Sequence, residues 1–510
     1  MAAQTIRKTS TRKSNVARPR SKSALNAKFR FSKSQLAIVI GLILVIGGII
    51  VWRVLAATSQ TEVETWPASG GNTKTVADNT ASGGSYLEFL TPTVTPVPSG
   101  APVLRVSGDK FVDGSGKVIT PRGINRAGME FACTQQNKFI TDQGGTNNAT
   151  QLAYADTVAT SLLNWDNTSK GGHAINTVRL PLHEECWLGI NGAPAAYAGA
   201  NYQAFLKRVV DKLSAQGMYV VLDLQWSTGF SDWLPGKNSY NGDYNGMDVG
   251  PNKEHSIPFW QQVATAYKAY PNVAFDLYNE PTIWCRTGSG CPSSIVSGNY
   301  WAAEEWGWKL ARDGGDYIYT ASDGRTVALA NVGKTLHIAG TQELVNTIRA
   351  TGATNVIMYE TIGAGNGGIG LMGAYKPNDP LKQLAASVHA YQDISGTNAG
   401  DASSQAYFDS QLKDGHGPGP DYAYPVPNIN TVMPFYLGEY GTMHCPLDQS
   451  GTDFVTNSFN WAETHQYAHT SWAWDSGEGC YGPSLVTDNN TGATFPYGAV
   501  IKNLLQSKQQ

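Results

Sequence analysis

The chain has 510 residues, 41% hydrophobic and 15% charged, which fits a globular protein with room for one large domain. The formal charge of −3 conceals an asymmetry, because residues 1–57 hold eleven Lys and Arg and no Asp or Glu, leaving 26 basic against 40 acidic side chains in the remainder. An acidic body argues against nucleic acid as the main partner, since phosphate binding needs basic patches, and is compatible with a neutral ligand.

From Leu36 to Trp52 the chain is apolar for 17 residues; Arg53 interrupts it before Val54-Leu55-Ala56-Ala57, and ten Lys and Arg precede it. Positive charge before an apolar run orients it with its N-terminus in the cytoplasm. Residues 1–35 are read as a basic cytoplasmic region. Residues 36–57 are read as a transmembrane signal anchor, or as a signal peptide with small residues for cleavage near Ala56. Either way everything after residue 57 is extracytoplasmic, anchored to a membrane or secreted. Residues 58–100, rich in Thr, Ser, Gly and Pro and ending in Thr91-Pro92-Thr93-Val94-Thr95-Pro96-Val97-Pro98, read as an extended spacer that cannot bury a core. All six cysteines (Cys133, Cys186, Cys285, Cys291, Cys445 and Cys480) lie beyond the apolar run, and an even number in an exported chain suggests disulfides. Proximity favours Cys285–Cys291, which leaves Cys445–Cys480 and Cys133–Cys186.

The body, 101–507, alternates short apolar strands with helical stretches. Strands are predicted at Val118–Asn125, Ile175–Leu182, Tyr219–Leu224, Val273–Asn279, Asn355–Glu360, Ala386–Ala390, Pro434–Gly438 and Thr470–Trp474. Helices are predicted at Tyr202–Ala215, Ile257–Tyr270 (ended by Pro271) and Thr341–Ala350. This alternation implies an α/β fold with a parallel sheet, and eight strands fit a (β/α)8 TIM barrel better than an open sheet. Long βα loops interrupt it at 282–335 and 392–430.

In such a barrel a carboxylate at the C-terminal end of a strand points toward the mouth, where active sites form. One predicted strand ends in Asn279-Glu280-Pro281 and another in Glu439-Tyr440-Gly441. Glycoside cleavage needs two carboxyl groups, one protonated to assist the departing oxygen and one ionised to attack the anomeric carbon. A single Glu after a strand is ordinarily salt-bridged or solvent-facing, but the apolar strand and the flanking Asn279 and Pro281 weaken that alternative.

The segment Asp276-Leu277-Tyr278-Asn279-Glu280-Pro281 resembles the acid/base motif of glycoside hydrolase family 5, the cellulase family of the retaining barrel clan. Further matches follow in order. Arg179 in Asn176-Thr177-Val178-Arg179-Leu180-Pro181 resembles the arginine that holds the nucleophile. His389 and Tyr391 in Val388-His389-Ala390-Tyr391 resemble the pair beside it. Glu439 in Leu437-Gly438-Glu439-Tyr440-Gly441 resembles the nucleophile itself. Trp474 in Ser471-Trp472-Ala473-Trp474 resembles the tryptophan flooring the −1 subsite, with Trp472 as its alternative. The resemblance implies a retaining hydrolase of a β-linked polysaccharide, endo-β-1,4-glucanase-like, with Glu280 as acid/base, its pKa raised by the neighbouring carboxylate, and Asn279 bonding the sugar 2-hydroxyl. A β-mannanase, a transglycosylase and a non-catalytic carbohydrate-binding barrel are the alternatives. One position departs: where the family usually has a histidine after the third strand, this chain has Gln225, which can donate a hydrogen bond but cannot be cationic. That puts the substrate subgroup in doubt.

Trp187, Trp226, Trp233 and Trp284 follow strands, where sugar subsites would be, and flat aromatic surfaces suit the apolar C–H faces of sugars. Gly363-Ala364-Gly365-Asn366-Gly367-Gly368 fits a dinucleotide pattern, but no helix opens after it to cradle a pyrophosphate, so a cleft loop is expected. The acidic stretch starting at Asn241 places Asn252 where a calcium loop needs Glu. No metal or cofactor is expected, and the protein is read as a monomer.

Overall fold

The computed structural model describes residues 73–77, 85–89, 98–141, 148–227, 249–283, 300–318, 335–363, 365, 375–392 and 433–510. The chain separates into two units, Met1–Thr93 and Val94–Gln510. In the first, Thr73–Ala77 pairs antiparallel with Ser85–Phe89. The segment expected to be an extended spacer therefore contains a hairpin. Its Thr, Val, Tyr and Phe favour strands, although two strands alone do not make a core. The apolar run 36–57 lies outside the described residues. Among the described residues, no helix is long and apolar enough to cross a membrane.

The second unit is a closed barrel of eight parallel strands. They are β1 Arg122–Asn125, β2 Thr177–His183, β3 Tyr219–Trp226, β4 Val273–Asp276, β5 Ile357–Glu360, β6 Leu384–Gln392, β7 Phe435–Thr442 and β8 Ala468–Ser471. Each pairs with its sequence neighbours, and β8 closes onto β1. All eight predicted strands are present, with ends displaced by a few residues. The longer helices are α1 Asn148–Ser161, α2 Ala200–Ala215, α3 Ser256–Tyr267, α4 Tyr300–Asp313, α5 Thr341–Ala350, α6 Gln449–His465 and α7 Pro496–Lys508. Residues 282–335, expected as loop, contain α4 and the start of a hairpin, Gly315–Ile318 with Thr335–Ile338. The small and polar residues of α1 carry no clear apolar stripe, which is why the sequence did not reveal it.

Alternation along the strands sorts side chains into two layers. Val178, Leu180 and Leu182 of β2 and Val220, Leu222 and Leu224 of β3 pack outward against the helices. The intervening residues face the barrel axis. At its N-terminal end the interior is apolar: Tyr219, Val221, Ala274, Met358, Tyr436 and Ala468 pack with Leu104 and Phe111, which lie at the hairpin Arg105–Ser107/Lys110–Val112. Farther up, the same alternation places Arg179, Asp223, Asp276, Glu360 and His389 inside. Two disulfides form as expected: Cys133–Cys186 ties the short helices Ala132–Gln135 and Glu184–Leu188, and Cys445–Cys480 ties two loops; Cys285 and Cys291 lie outside the described residues.

One ionic tie joins the barrel to its helical layer. Arg122 Nε donates to Glu463 Oε1 at 2.6 Å, and His469 Nε2 lies 3.1 Å from the same oxygen. Burial raises the Glu463 pKa, but the His469 hydrogen bond and the neighbouring positive charge outweigh it and hold the carboxyl at about 2. Burial lowers the His469 pKa as well, so near neutrality its ring acts as a neutral donor and Arg122 carries the charge. A depressed carboxylate contributes stability above its unfolded pKa, lost as pH falls through the folded one. Glu463→Gln is therefore expected to cost about 3 kcal/mol at pH 7, the linkage scale for this depression. Urea denaturation should show the gap closing toward about pH 2. A gap equal at both pH values would refute the assignment.

Candidate active site

Arg179 is the hub of the site and is fully buried. Its Nη1 donates to Glu439 Oε1 at 2.6 Å, Asn125 Oδ1 at 3.1 Å and Gln225 Oε1 at 3.3 Å. Its Nη2 donates to Asn279 Oδ1 at 2.9 Å and Glu360 Oε1 at 3.1 Å, and lies 3.1 Å from Asp223 Oδ1. Its Nε donates to Asp276 Oδ2 at 3.2 Å. The planar fork of a guanidinium suits this many acceptors, which a lysine could not serve. Asp223, Asp276 and Glu360 form a compact buried acidic group, and this guanidinium is its cation.

Glu439 reaches the interior through a register shift. Val388 pairs with Leu437 but His389 pairs with Glu439, so Gly438 is the extra residue on β7. Such a bulge re-aims the side chain that follows. A side chain there would crowd the site, because a Cβ would sit 2.9 Å from Ser387 Oγ and 3.1 Å from His389 Nε2, so either would have to shift. Tyr391 Oη donates to Glu439 Oε2 at 2.6 Å, so each carboxylate oxygen has its own donor. Burial, followed by the charges of Glu439 and Glu280, raises the Tyr391 pKa, and the phenol stays a neutral donor.

Glu280 follows β4 and Asn279, with its backbone at φ 46°, a left-handed conformation uncommon for a residue with a side chain. Its N–H is anchored on Glu360 Oε2 at 2.7 Å, and its Oε1 lies 2.9 Å from His389 Nδ1. Its side chain is 21% exposed against 4% for Glu439. One oxygen of Glu280, one of Glu439 and a ring nitrogen of His389 lie within 4.8 Å of one another. Burial opposes charge on His389, but the charges of Glu360 and Glu439, with the bond to Glu280, hold its pKa well above the usual value. Burial likewise raises Asp276 to about 7 and Asp223 well above the carboxylate range, with the charge of Arg179 opposing both.

Gly365, from the glycine-rich stretch after β5, serves this site; residues 364 and 366–368 lie outside the described residues. Gly365 O accepts the His389 N–H at 2.7 Å, and a Cβ at Gly365 would lie 2.9 Å from the His389 side chain. Of the calcium-like stretch, residues 241–248 lie outside the described residues, and Asn252 donates to Glu184.

Two aromatic expectations are corrected. Trp474 is fully buried, its ring centroid 4.8 Å from Trp165 and its Nε1 donating to Asn489 O, so it offers no face to a sugar. Trp472 packs beside Tyr391 instead, and its Nε1 donates to Glu478 Oε2 at 2.8 Å. Trp187 is buried against Phe259 and Tyr267 and belongs to the helical layer. Trp226 is half-buried, 5.7 Å from Phe131 and 5.8 Å from His183. Trp233 and Trp284 lie outside the described residues. Sequence reasoning missed Glu360, Asp223, Asn125 and Glu478 as site residues. Burial pushes the Glu478 carboxyl up to about 8; its bond from Trp472 opposes this, and the charges of Asp475 and Glu439 add to it.

The cellulase (glycosyl hydrolase family 5) model matches residues 168–478. A β-glucanase from Saccharophagus degradans, in its native form, is similar in structure at a TM-score of 0.51 and 17% identity, covering 83% of this chain and 99% of the other. The same β-glucanase in complex with cellotetraose gives 0.51 and 16%, with coverage again 83% and 99%. No curated protein matches the chain in sequence. With a family match spanning more than half of its length, the chain belongs to the cellulase family, glycosyl hydrolase family 5, as a glycosidase that hydrolyses O-glycosyl bonds in β-linked polysaccharide.

Proposed function

We propose that the protein is a retaining endo-β-1,4-glucanase, with Glu439 as nucleophile and Glu280 as acid/base. The observation that carries this reading is the 4.8 Å limit on the separation of their oxygens, since retaining enzymes keep the two carboxyl groups about 5–5.5 Å apart and inverting ones leave room for a water. The donors divide the roles. Arg179 and Tyr391 both stabilise charge on Glu439, which suits an ionised nucleophile. Glu280 is the more exposed of the two and suits proton exchange with a leaving group and with water.

In the first step Glu439 forms a bond to the anomeric carbon while the glycosidic bond breaks, its electron pair leaving on oxygen. The Glu280 proton passes to that oxygen. In the second step Glu280 takes a proton from water, whose oxygen attacks the same carbon and releases Glu439. Asn279, held by Arg179, would bond the sugar 2-hydroxyl, and Trp472, beside Tyr391, would supply the apolar floor. Gln225 and Trp226 would contact the sugar beyond. A glucan is preferred because the similar Saccharophagus degradans β-glucanase was crystallised with cellotetraose. Residues 36–57 would anchor the enzyme and 58–100 would space it from the membrane. The disulfides support action in an oxidising compartment outside the cytoplasm.

Proton NMR of early digestion tests the stereochemistry: the β-anomer should appear first, and initial α-anomer would refute retention. On barley β-glucan, carboxymethyl-cellulose and galactomannan, the glucans should be cleaved faster by at least about tenfold, the discrimination one or two well-placed contacts supply. Faster cleavage of galactomannan would overturn the glucan assignment alone.

A further inference from the structure

We propose that Glu360 is the positioning residue of the acid/base: one of its oxygens anchors the Glu280 backbone, the other faces His389 Nε2, and its charge keeps a proton on the His389–Glu280 pair. This rests on the proposed role of Glu280. Glu360 ends β5, a strand that supplies none of the residues matched to the family motif, and it is 4% exposed. Its Oε2 accepts the Glu280 N–H at 2.7 Å. Its Oε1 lies 3.1 Å from both Arg179 Nη2 and His389 Nε2. The histidine contact is at ion-pair distance without the alignment of a hydrogen bond, so it acts through charge. On its other side the ring meets Glu280 Oε1 through Nδ1 at 2.9 Å. The order is therefore carboxylate, imidazole, carboxyl, with the first group also holding the main chain of the last.

The charges facing Glu360 show why it is needed. Arg179 comes from β2, Asp223 from β3, Asp276 from β4, His389 from β6 and Glu439 from β7, with Glu280 just past β4. Burial favours the neutral forms of Asp223 and Asp276. With these two protonated, Glu360 and Glu439 balance Arg179 and an imidazolium at His389. Glu280 can then be neutral, as a general acid must be before the first step. Arg179 does not itself require Glu360, because it already holds Glu439, Asp276 and Asp223. Without Glu360, the imidazolium would keep Glu439 and would draw Glu280 into its ionised form as a second counter-ion. The pair would then lose its proton at lower pH, and the acid would be spent before the sugar oxygen needs it.

Glu360→Gln keeps an acceptor for the Glu280 N–H and removes the charge. The test compares phenyl β-cellobioside, whose leaving group needs a proton, with 2,4-dinitrophenyl β-cellobioside, whose leaving group does not; the β-mannobiosides are used should the wild type prefer mannan. The variant is expected to lose about 10²-fold in kcat/KM on the phenyl glycoside and less than about threefold on the dinitrophenyl one, the span of general-acid assistance. The basic limb of its kcat/KM profile should move down by about one pH unit or more. Equal losses on both glycosides, or an unmoved basic limb, would overturn the proposal. Should Glu360→Gln not fold, Glu360→Asp, which withdraws both oxygens by one methylene, is expected to show the same split at about tenfold. Equal losses there would also overturn the proposal. Glu280→Ala, run in parallel, separates the two readings: if it loses phenyl-glycoside activity while Glu360→Gln matches wild type, only the Glu360 assignment falls. If Glu280→Ala keeps that activity, the acid/base assignment itself fails.

Discussion

Glu439→Ala is expected to lower kcat on polysaccharide by on the order of 10⁶, the scale reached when a covalent nucleophile is removed. The reason is geometric as well as chemical. Arg179 and Tyr391 each grip one oxygen of Glu439, and among the described residues no other carboxylate of the site has both of these donors. Alanine leaves a space beside those donors that a small anion can enter. Azide should therefore restore turnover of 2,4-dinitrophenyl β-cellobioside and give the α-glycosyl azide, because attack comes from the side the nucleophile occupied. Glu280→Ala should respond differently. It should cost about 10²–10⁴ on substrates with poor leaving groups, and azide should then give the β-azide, trapped from the glycosyl-enzyme. Identical azide products from the two variants would sink the division of roles.

Legibility in the sequence followed the strand periodicity. Arg179, His389, Tyr391 and Glu439 converge because they face inward from β2, β6 and β7, and Asn279 and Glu280 join them just past the C-terminal end of β4. Asp223 was available by the same logic, since an acid between Leu222 and Leu224 must face inward when both leucines face out. Glu360 was a strand-ending carboxylate without a flanking motif, and what distinguishes it is the company it keeps in space. The tryptophans failed for a definite reason. β8 stops at Ser471, so the alternation no longer applies beyond it, and Trp472 packs beside Tyr391 while Trp474 turns to Trp165. Trp187 follows β2 but lies within the short helix Glu184–Leu188, which aims it at Phe259 and not at the barrel mouth.

Arg179→Met is expected to be the most destabilising single change in the barrel interior, by about 3–5 kcal/mol near neutral pH, the scale for breaking a buried ion pair. Methionine fills much of the volume, so the loss comes from charge: Glu360 and Glu439 lose their shared cation, and Asp223 and Asp276 lose the charge that opposes their protonation. The carboxyls can escape by taking up protons, which fixes the pH dependence. Burial already raises Asp276 to about 7, against the pull of Arg179, and the folded state of the variant must bind protons more tightly still. A carboxyl with a raised folded pKa favours the folded state below its unfolded pKa, and that advantage is lost as pH rises through the folded value. The gap between wild type and variant should thus be small near pH 4 and widen through about pH 7, as measured by urea denaturation. Arg179→Lys separates charge from geometry. It restores the cation but not the fork that reaches Asn279, Asn125 and Gln225 together with the acids. It should therefore recover most of the stability above pH 6 and little of the activity. A gap independent of pH, or full activity in Arg179→Lys, would mean that the guanidinium does not organise the site.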